Sequence, residues 1–518
     1  MSWQPEVDEL KHRTELAKQM GGPANVERQH ASGRLTVRER IDRLLDPGSF
    51  HETGALTGKA TYENGQLGSI TPSNFVMGTG RIDHRRVVVG GDDFTVRGGA
   101  ADGAIGYKAG YAEKMARELR LPMIRLVDGT GGGGSVKTLE TMQRTYVPWN
   151  PAWEIVTASM SEIPVVAACL GPVAGLGAVR VVTSHFSVMV KGVSQLFVAG
   201  PPVVERSIGE KATKEDLGGS HIHAHGSGAV DNEVETEDEA FAQIRRFLSY
   251  LPSSVWQLPA RAAHHDDPYR REEELLSIIP RDRRRGYDAR KLLSLVLDRD
   301  SFFEMGEFYG RPLITGLARL HGFPVGVLAS DPKHYGGGLD APGSEKMTRF
   351  IDLCDTFHLP VVNFVDQPGF VVGSRAERAG TARYGARVMA AVYQATVPWC
   401  SIILRRVYGV AGAAHGNAAL LNLRYAWPSG DWGSLPIEGG VQAAYKREIE
   451  ASPDPDARRQ EIEEMLNELR SPFRTAEGFG IEEIIDPRDT RSLLCEWIAT
   501  AYELLVTELG PKRRGMRP

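Results

Sequence analysis

Short apolar runs bounded by proline and glycine alternate with amphipathic stretches along the chain. Apolar runs of this length predict buried strands, and the longer amphipathic stretches predict helices. Thr36 followed by Glu39 is typical of a helix N-cap. The predicted strands cover residues 82–89, 122–127 and 164–170, and the predicted helices cover residues 1–30, 36–45 and 108–120. The succession of strand, glycine turn, helix and strand is typical of an α/β domain.

The apolar pattern occurs twice. Residues 121–128 (LPMIRLVD) are echoed by residues 359–366 (LPVVNFVD), an offset of 238 (359 minus 121). A second pair of runs ends at glycine turns that begin at Gly175 and Gly409, an offset of 234 (409 minus 175). A looser third pair joins residues 45–50 to residues 297–302. Three pairs in the same order predict two copies of one α/β fold in tandem.

The repeat divides the 518 residues into two large domains. We predict an N-terminal domain at residues 1–255, a linker at 256–285 and a C-terminal domain at 286–518. The linker is assigned because residues 264–267 and 281–285 are charged and their surroundings are poor in apolar residues.

Composition excludes several classes of protein. The net charge of −5 gives no support to a nucleic-acid partner. The N-terminus lacks a signal-peptide pattern, and the longest apolar run is interrupted by proline and glycine, so we expect no membrane association and a cytoplasmic protein. The four cysteines form no CxxC pair, which excludes a zinc ribbon or redox dithiol, and Cys169 and Cys400 are expected to be reduced core residues.

The repeated glycine turns are the first candidate for chemistry. A strand that ends in a glycine turn before a helix exposes backbone N–H groups without intrahelical partners. Such groups can hold a phosphate or an oxyanion at the positive end of the helix dipole. The turns at residues 175–178 and 409–412 are therefore candidates for two sites of this kind. The alternative is that they only allow tight packing of helix on strand, but repetition at matching positions favours a functional role.

Other motifs point away from common catalytic machinery. Gly131, Gly132 and Gly133 lie in a loop before Lys137, but Val136 stands where a Walker A motif needs glycine, so we predict a loop beside an acyl or nucleotide ligand. The alternating histidines at residues 221–225 are predicted to form a structural loop, or to include one histidine that orients a neighbour, rather than a metal site. The chain has no GxSxG elbow and no AMKM sequence, so no biotin attachment site is evident.

A resemblance to a known family is carried by residues 33–41, 44–50, 93–99, 189–191, 200–201, 217–219, 227–228, 366–370, 383–386, 395–398, 408–409, 427–428 and 486–491. In this order and spacing, nearly the whole chain resembles the carboxyltransferase (β) subunits of biotin-dependent acyl-CoA carboxylases. The resemblance implies two crotonase-like (ββα spiral) domains, with an active site between the N-domain of one subunit and the C-domain of another. It implies hexamers built as trimers of dimers.

The resemblance also implies a reaction and the residues that perform it. CO2 would pass from carboxybiotin, carried on a partner biotin carboxylase/biotin carrier (α) subunit, to the α-carbon of an acyl-CoA. One amide pair would hold the thioester enolate and a second would hold the biotin ureido carbonyl. The implied catalytic positions are Gly175, Leu176 and Gly177 for the first pair and Val410 and Ala411 for the second. The implied substrate-binding positions are Gly98, Gly99, Gly131, Gly132, Gly133, Gly409 and Ala413.

The chain departs from the family pattern at both turns. Leu176 stands in the usual Gly-Gly-Ala, and Gly412 and Ala413 stand where the family has Tyr-Asp. These changes leave the acyl group unassigned and leave room for a changed reaction such as decarboxylation. Two alternatives therefore stay open: a biotin-independent crotonase-type decarboxylase, hydratase or hydrolase acting on acyl-CoA, and a non-catalytic assembly subunit.

Overall fold

The structure is a computed structural model that describes residues 2–100, 105, 107–129, 136–147, 149–150, 152–263 and 265–516. The chain divides into two compact units. The first comprises Met1–Gln257 with Gly510–Pro518, and the second comprises Leu258–Leu509.

The first unit contains ten strands and ten α-helices among its described residues. Its strands are β1 (His51–Glu52), β2 (Gly58–Glu63), β3 (Gln66–Pro72), β4 (Phe75–Ile82), β5 (Arg85–Asp92), β6 (Met123–Gly129), β7 (Val165–Ala174), β8 (Phe186–Val190), β9 (Gln195–Phe197) and β10 (Asn232–Val234). Its helices are α1 (Gln4–Lys18), α2 (Pro23–Ala31), α3 (Val37–Leu44), α4 (Lys108–Glu118), α5 (Lys137–Met142), α6 (Trp153–Ser159), α7 (Leu176–Val182), α8 (Pro201–Ile208), α9 (Lys214–Gly218) and α10 (Glu237–Ser249).

The second unit contains the remaining described elements. Its strands are β11 (Phe303–Met305), β12 (Leu313–Leu320), β13 (Phe323–Ser330), β14 (Val361–Gln367), β15 (Trp399–Tyr408), β16 (Asn422–Ala426), β17 (Asp431–Gly433) and β18 (Glu483–Ile484). Its helices are α11 (Ala289–Val296), α12 (Ala341–Thr356), α13 (Ser374–Arg378), α14 (Thr381–Gln394), α15 (Gly409–Ala413), α16 (Ile437–Ala444), α17 (Lys446–Ala451), α18 (Pro455–Glu468), α19 (Pro472–Glu477) and α20 (Thr490–Leu505).

The two units have the same sheet topology. In the first unit the strand order is β1-β4-β5-β6-β7-β8-β10, and β9 adds a second pairing to β7. In the second the order is β11-β12-β13-β14-β15-β16-β18, and β17 adds a second pairing to β15. Each sheet begins with antiparallel pairs and continues with parallel ones. The strand-for-strand match confirms the predicted tandem duplication.

A β-bulge recurs at the same place in both sheets. The register between β6 and β7 shifts between Val127 and Gly129, and the register between β14 and β15 shifts between Val365 and Gln367. The two shifts are related by the sequence offset of 238 (365 minus 127). The central residues of the two bulges are Asp128 and Asp366, and both side chains are buried. A bulge re-aims a side chain and ends regular pairing, so both copies use the same device at the end of a central strand.

Most of the predicted elements are present. Thr36 and Glu39 form a capping box at the start of α3, and the predicted strand at residues 122–127 is contained within β6 apart from its first residue. The predicted strand at 82–89 was wrong: it spans the end of β4 and most of β5, which are joined by a turn with Asp83 and His84 at positive φ.

The four cysteines are buried and unpaired. No helix among the described residues is long and apolar enough to cross a membrane.

The limits of the two compact units differ from the predicted domain limits in two places. Residues 258–285, expected to form a charged linker, belong to the second unit. There Leu275 joins the hydrophobic core, and the Arg270 guanidinium donates hydrogen bonds to the carbonyl oxygens of Leu295 and Leu297. The C-terminal segment returns to the first unit, where Gly510 N–H donates to Val255 O at 2.8 Å.

Gly171 gives a test of how tightly β7 packs beside the bulge. A Cβ at this position would lie 2.1 Å from Asp128 Oδ1 and 2.7 Å from Arg34 Nη1. We expect Gly171→Ala to lower the free energy of unfolding by about 2 kcal/mol or more, because the buried ion pair must move. The urea midpoint of the purified variant measures this. Gly439→Ala is the control: a methyl there meets nothing within 4 Å in α16 and should raise stability by up to about 1 kcal/mol. Equal midpoints for Gly171→Ala and wild type would contradict the prediction.

Candidate active site

The first glycine turn joins β7 to α7 through a backbone conformation that only glycine adopts readily. Gly175 has φ +60° and ψ −121°, and its N–H donates a hydrogen bond to Phe197 O of β9 at 3.1 Å. A Cβ at Gly175 would meet no atom within 4 Å. Glycine is therefore required for backbone conformation rather than for close packing, and the space beside the turn is open.

The turn places backbone donors at the start of α7. The first intrahelical bond runs from Val179 N–H to Gly175 O. The N–H groups of residues 176–178 precede that bond and so have no acceptor within the helix. Of the predicted catalytic positions, Leu176 is half-buried and Gly177 is buried. These donors at the positive end of a helix dipole suit an oxyanion.

The other end of α7 is fixed by a buried arginine on β6. The Arg125 guanidinium donates to the carbonyl oxygens of Arg180 and Thr183 at 2.9 and 2.5 Å. The same group forms a two-point ion pair with Glu113. A cation at a helix C-terminus is favourable in the helix dipole, and the two carbonyl contacts fix the helix along its axis. The N-terminal amides are thereby held relative to the central strand.

The bulge residue Asp128 is the centre of a second buried network. Arg40 Nη1 and Arg34 Nη1 donate to its carboxylate at 2.9 and 3.0 Å. Arg40 also forms a two-point ion pair with Glu237 of α10 and donates to Leu170 O of β7. The backbone N–H of Asp128 donates to Asp92 Oδ2 at 3.2 Å. This network ties the helices α3 and α10 to the strands that lead to the turn.

The glycine of the second turn has the same φ as the glycine of the first. β15 ends at Tyr408, Gly409 has φ +60°, and α15 begins there. Val410 is exposed and Ala411 is buried, and both N–H groups lie in the first turn of α15. A Cβ at Gly409 would lie 3.4 Å from Ser434 O, so some space is open here too. The duplication therefore includes the positive φ of the turn glycine and not only its sequence position.

Neutral donors fix the end of the second turn's helix. The carbonyl oxygen of His415 accepts hydrogen bonds from Asn363 Nδ2, Ser401 Oγ and Trp399 Nε1 at 3.1, 2.9 and 2.7 Å. Asn363 is the counterpart of Arg125 by the offset of 238 (363 minus 125). The two residues hold the chain at the C-terminal end of the turn's helix with different chemistry.

Asp366 occupies the second bulge and is paired with two arginines from β15. Arg405 Nη2 and Arg406 Nε donate to its carboxylate at 2.8 and 2.7 Å, and Ser330 Oγ accepts from its backbone N–H. Burial alone would raise the pKa of Asp366, but the hydrogen bonds and charges of Arg406 and Arg405 outweigh it and lower this pKa below its ordinary value. The carboxylate is therefore ionised at neutral pH.

A tyrosine and an ion pair support the strand β17 that lies beside the second turn. Arg470 forms a two-point ion pair with Asp431 and donates to Tyr408 Oη at 3.1 Å. Burial and the neighbouring Asp431 carboxylate raise the pKa of Tyr408 to about 12. Tyr408 is therefore a neutral phenol at physiological pH and positions the turn rather than acting as a base.

The described members of the predicted substrate-binding set lie in both units. Gly98 and Gly99 form a 3-10 turn with positive φ against the end of β6, where a Cβ on Gly99 would lie 2.8 Å from Asp128 O. Ala413 lies exposed on α15, just after Val410 and Ala411. The remaining three positions, Gly131, Gly132 and Gly133, lie outside the described residues.

The sequence analysis missed the counterpart of the Gly98–Gly99 turn. Gly336 and Gly337 form the same positive-φ turn in the second unit, and a Cβ on Gly337 would lie 2.8 Å from Asp366 O. Arg406 Nη2 donates to Gly336 O at 2.6 Å. Applying the offset of 238 (336 minus 98) to Gly98 would have identified this turn.

The histidine-rich segment forms a π-helical turn at His221–Gly226, so the prediction of a loop was wrong. His221 faces Glu215 at 3.7 Å and His225 contacts Glu233 at 2.8 Å, which are partners the sequence spacing did not reveal. His223 instead contacts Leu196 O and Ser227 Oγ. Within the part of the chain that the structure describes, no group of three or more His, Cys, Asp and Glu side chains could hold a metal ion.

The carboxyl transferase domain family matches residues 28–516. The chain is 35% identical over 497 residues to a propionyl-CoA carboxylase carboxyltransferase subunit of Haloferax mediterranei, covering 95% of each chain. It is 33% identical over 517 residues to the methylmalonyl-CoA decarboxylase subunit alpha of Veillonella parvula, covering 99% of each.

The fold is also similar to solved structures. A transcarboxylase 12S structure with methylmalonyl-coenzyme A and methylmalonic acid bound matches with a TM-score of 0.86 and 31% identity. The match covers 100% of this chain and 97% of that chain. It confirms the prediction of an α/β chain built as a tandem duplication of two crotonase-like domains.

Asp366→Asn tests the buried carboxylate through its pH dependence. Because the folded-state pKa is lowered, the carboxylate stabilises the fold above its unfolded pKa of about 3.9, and this contribution is lost as pH falls through the folded pKa. We expect Asp366→Asn to lower the free energy of unfolding at pH 7 by about 3 kcal/mol. Below about pH 4, the free energies of unfolding of the variant and the wild type should become more similar. Urea unfolding curves across this pH range measure both.

The control for Asp366→Asn is an exposed aspartate–arginine pair. Asp456 contacts Arg459 on the surface of α18. Its replacement by asparagine should change the free energy of unfolding by less than about 1 kcal/mol. An Asp366→Asn protein with the stability of the control at pH 7 would contradict the prediction.

Proposed function

Because the chain belongs to the carboxyl transferase domain family, we propose that it transfers a carboxyl group between biotin and the α-carbon of an acyl-CoA thioester. The observation that carries the proposal is the pair of glycine turns at Gly175 and Gly409. Both have φ +60°, both end a central parallel strand, and both present the first amides of a helix. A reaction between two carbonyl compounds needs two such sites.

The first turn suits the thioester. Removing a proton from the α-carbon of a thioester builds negative charge on the thioester oxygen. The N–H groups of Leu176 and Gly177, presented by the Gly175 turn, would hold that oxygen as the enolate forms. Each well-placed amide donor is worth about 3 kcal/mol at the transition state.

The second turn suits the biotin ureido carbonyl. The N–H groups of Val410 and Ala411 would hold this oxygen, and Gly409 would supply the turn. Carboxybiotin would supply the carboxyl group as CO2, and the ureido group left after that loss would supply the base for the α-proton. This assignment agrees with Tyr408 being a neutral phenol at physiological pH, which leaves it unsuited as the base.

The substrates and partners are proposed from the relatives. A propionyl-CoA carboxylase subunit and a methylmalonyl-CoA decarboxylase subunit are both similar to this chain, so we propose a short-chain acyl-CoA such as propionyl-CoA or its carboxylated product. Residues 98–99, 131–133 and 413 would contact these substrates. Biotin would arrive on a partner biotin carboxylase/biotin carrier subunit. The transcarboxylase 12S structure is described as a hexamer assembly, and we propose a hexamer here as well.

Decarboxylation is the second candidate. The methylmalonyl-CoA decarboxylase subunit matches along 99% of both chains, and the same amide pairs would serve the reverse transfer. Breaking the bond between the carboxyl group and the α-carbon also leaves an enolate on the thioester oxygen. The two functions therefore share a site and differ in the direction of transfer.

A single assay tests the proposed function. We expect the purified chain, incubated with methylmalonyl-CoA or malonyl-CoA and free biotin, to release CO2 at a rate that depends on both compounds. Product CoA esters are separated by chromatography and counted against a control without biotin. No turnover with either ester would overturn the proposal, and equal turnover without biotin would instead support a biotin-independent decarboxylase.

The two turn glycines give a sharper prediction in the same assay. We expect Gly175→Ala and Gly409→Ala each to lower kcat by about 100-fold, because a methyl group disfavours the backbone conformation that aims the amides. Gly65→Ala is the matched control: Gly65 has φ +81° and nothing within 4 Å of its Cβ position, but it lies in the β2–β3 hairpin. Its kcat should stay within about twofold of wild type if backbone strain alone has no effect on catalysis. A similar kcat for all three variants would contradict the assignment.

A further inference from the structure

The strand β9 sets the position of the first glycine turn. It pairs with the end of β7, where Val173 is opposite Leu196 and Ala174 is opposite Phe197. The carbonyl oxygen of Phe197 then accepts the hydrogen bond from Gly175 N–H at 3.1 Å. A displacement of this three-residue strand would therefore displace the turn itself.

The side chain of His223 contacts the backbone of β9. Its Nε2 lies 2.8 Å from Leu196 O, and its Nδ1 lies 3.1 Å from Ser227 Oγ. A carbonyl oxygen only accepts, so Nε2 carries the hydrogen and Nδ1 accepts from the Ser227 hydroxyl. Burial lowers the pKa of His223, which keeps the imidazole neutral and in this tautomer at neutral pH.

The π-helical turn directs one of its three histidines to β9. His221 and His225 contact the carboxylates of Glu215 and Glu233, while His223 contacts the backbone of the strand. Leu196 O is also closely approached by Gly218, where a Cβ would lie 2.2 Å from it. The surroundings of this carbonyl are therefore tightly defined, and the π-helical turn is of the kind that is frequent at functional sites.

The second unit braces the equivalent strand with other side chains. β17 pairs with the end of β15, where Val407 is opposite Trp432. Its Asp431 is held by Arg470, and Trp432 Nε1 donates to Thr475 Oγ1 at 3.0 Å. Both copies therefore fix the short strand beside the glycine turn, although no residue type is shared between the two braces.

We propose that His223 is a positioning residue for the reaction: its neutral imidazole fixes Leu196 and, through Phe197, holds the Gly175 turn in the geometry that aims the amides of residues 176 and 177. The inference rests on the proposed function. His223 itself contacts no reacting atom in this role. Its effect is on the placement of the donors, where an error of about 1 Å can cost about 100-fold in rate.

His223→Ala and His223→Gln test the inference in the decarboxylation assay with free biotin. We expect His223→Ala to lower kcat by at least about 10-fold with less than about threefold change in KM for the CoA ester. His223→Gln keeps an N–H donor within reach of Leu196 O and should recover most of the lost kcat. His225→Ala, on the same π-helical turn but paired with Glu233, is the control and should match wild type.

The outcomes separate the inference from the proposed function. A wild-type chain without turnover overturns the proposed function and the role of His223 with it. An active wild type with an equally active, folded His223→Ala variant overturns the inference alone, as does a His223→Gln variant that loses as much kcat as His223→Ala. If His223→Ala does not fold, Ser227→Ala removes the hydroxyl that donates to the ring and also accepts from Ala229 N–H, and an unchanged kcat in that variant overturns the inference.

Discussion

A carboxylate buried in the bulge of a central strand is the constraint around which each unit is arranged. An ionised carboxylate removed from water is strongly unfavourable unless charges and hydrogen bonds compensate it. Asp128 and Asp366 are each given two arginine partners and a fixed backbone N–H. Arg40 also donates to Leu170 O of β7, and both arginines around Asp366 belong to β15. Each buried carboxylate is therefore linked to the strand that leads to the glycine turn.

The two copies satisfy the same demands with different residues. Of the two arginines around Asp128, Arg34 precedes α3 and Arg40 belongs to it, whereas both arginines around Asp366 belong to β15. The helix after the first turn ends on the charged Arg125, whereas the chain after the second helix is held by three neutral donors that include Asn363. If the particular ion pairs were the requirement, the copies would share them. Both copies have a buried carboxylate at the bulge and hydrogen bonds that fix the chain at the C-terminal end of the helix. The shared requirement is therefore the position of the backbone, not a particular set of ion pairs.

The sequence predicted the duplication, the turns and the capping box because these depend on local spacing and on glycine chemistry. Thr36 and Glu39 lie within four residues of each other and predict the start of α3. Gly175 and Gly409 are identified by their matching positions in the repeat. The partners of His221 and His225 could not be predicted, since Glu215 and Glu233 reach them through tertiary packing. The charge of residues 258–285 likewise did not indicate that the Arg270 guanidinium donates to backbone carbonyls of its own unit.

The turns themselves combine an invariant backbone with variable surroundings. Gly175 and Gly409 have the same φ of +60°, yet a Cβ on the first would meet nothing within 4 Å and a Cβ on the second would approach Ser434 O. Beside them stand Leu176 and Val410, two different apolar side chains whose N–H groups do not depend on the side chain. Because the donors come from the main chain, substitution around a turn changes the shape of the space next to it without removing the donors. A duplicated fold can in this way keep backbone donors in both copies while the space beside each turn changes, so departures from the family sequence at both turns are compatible with the shared architecture.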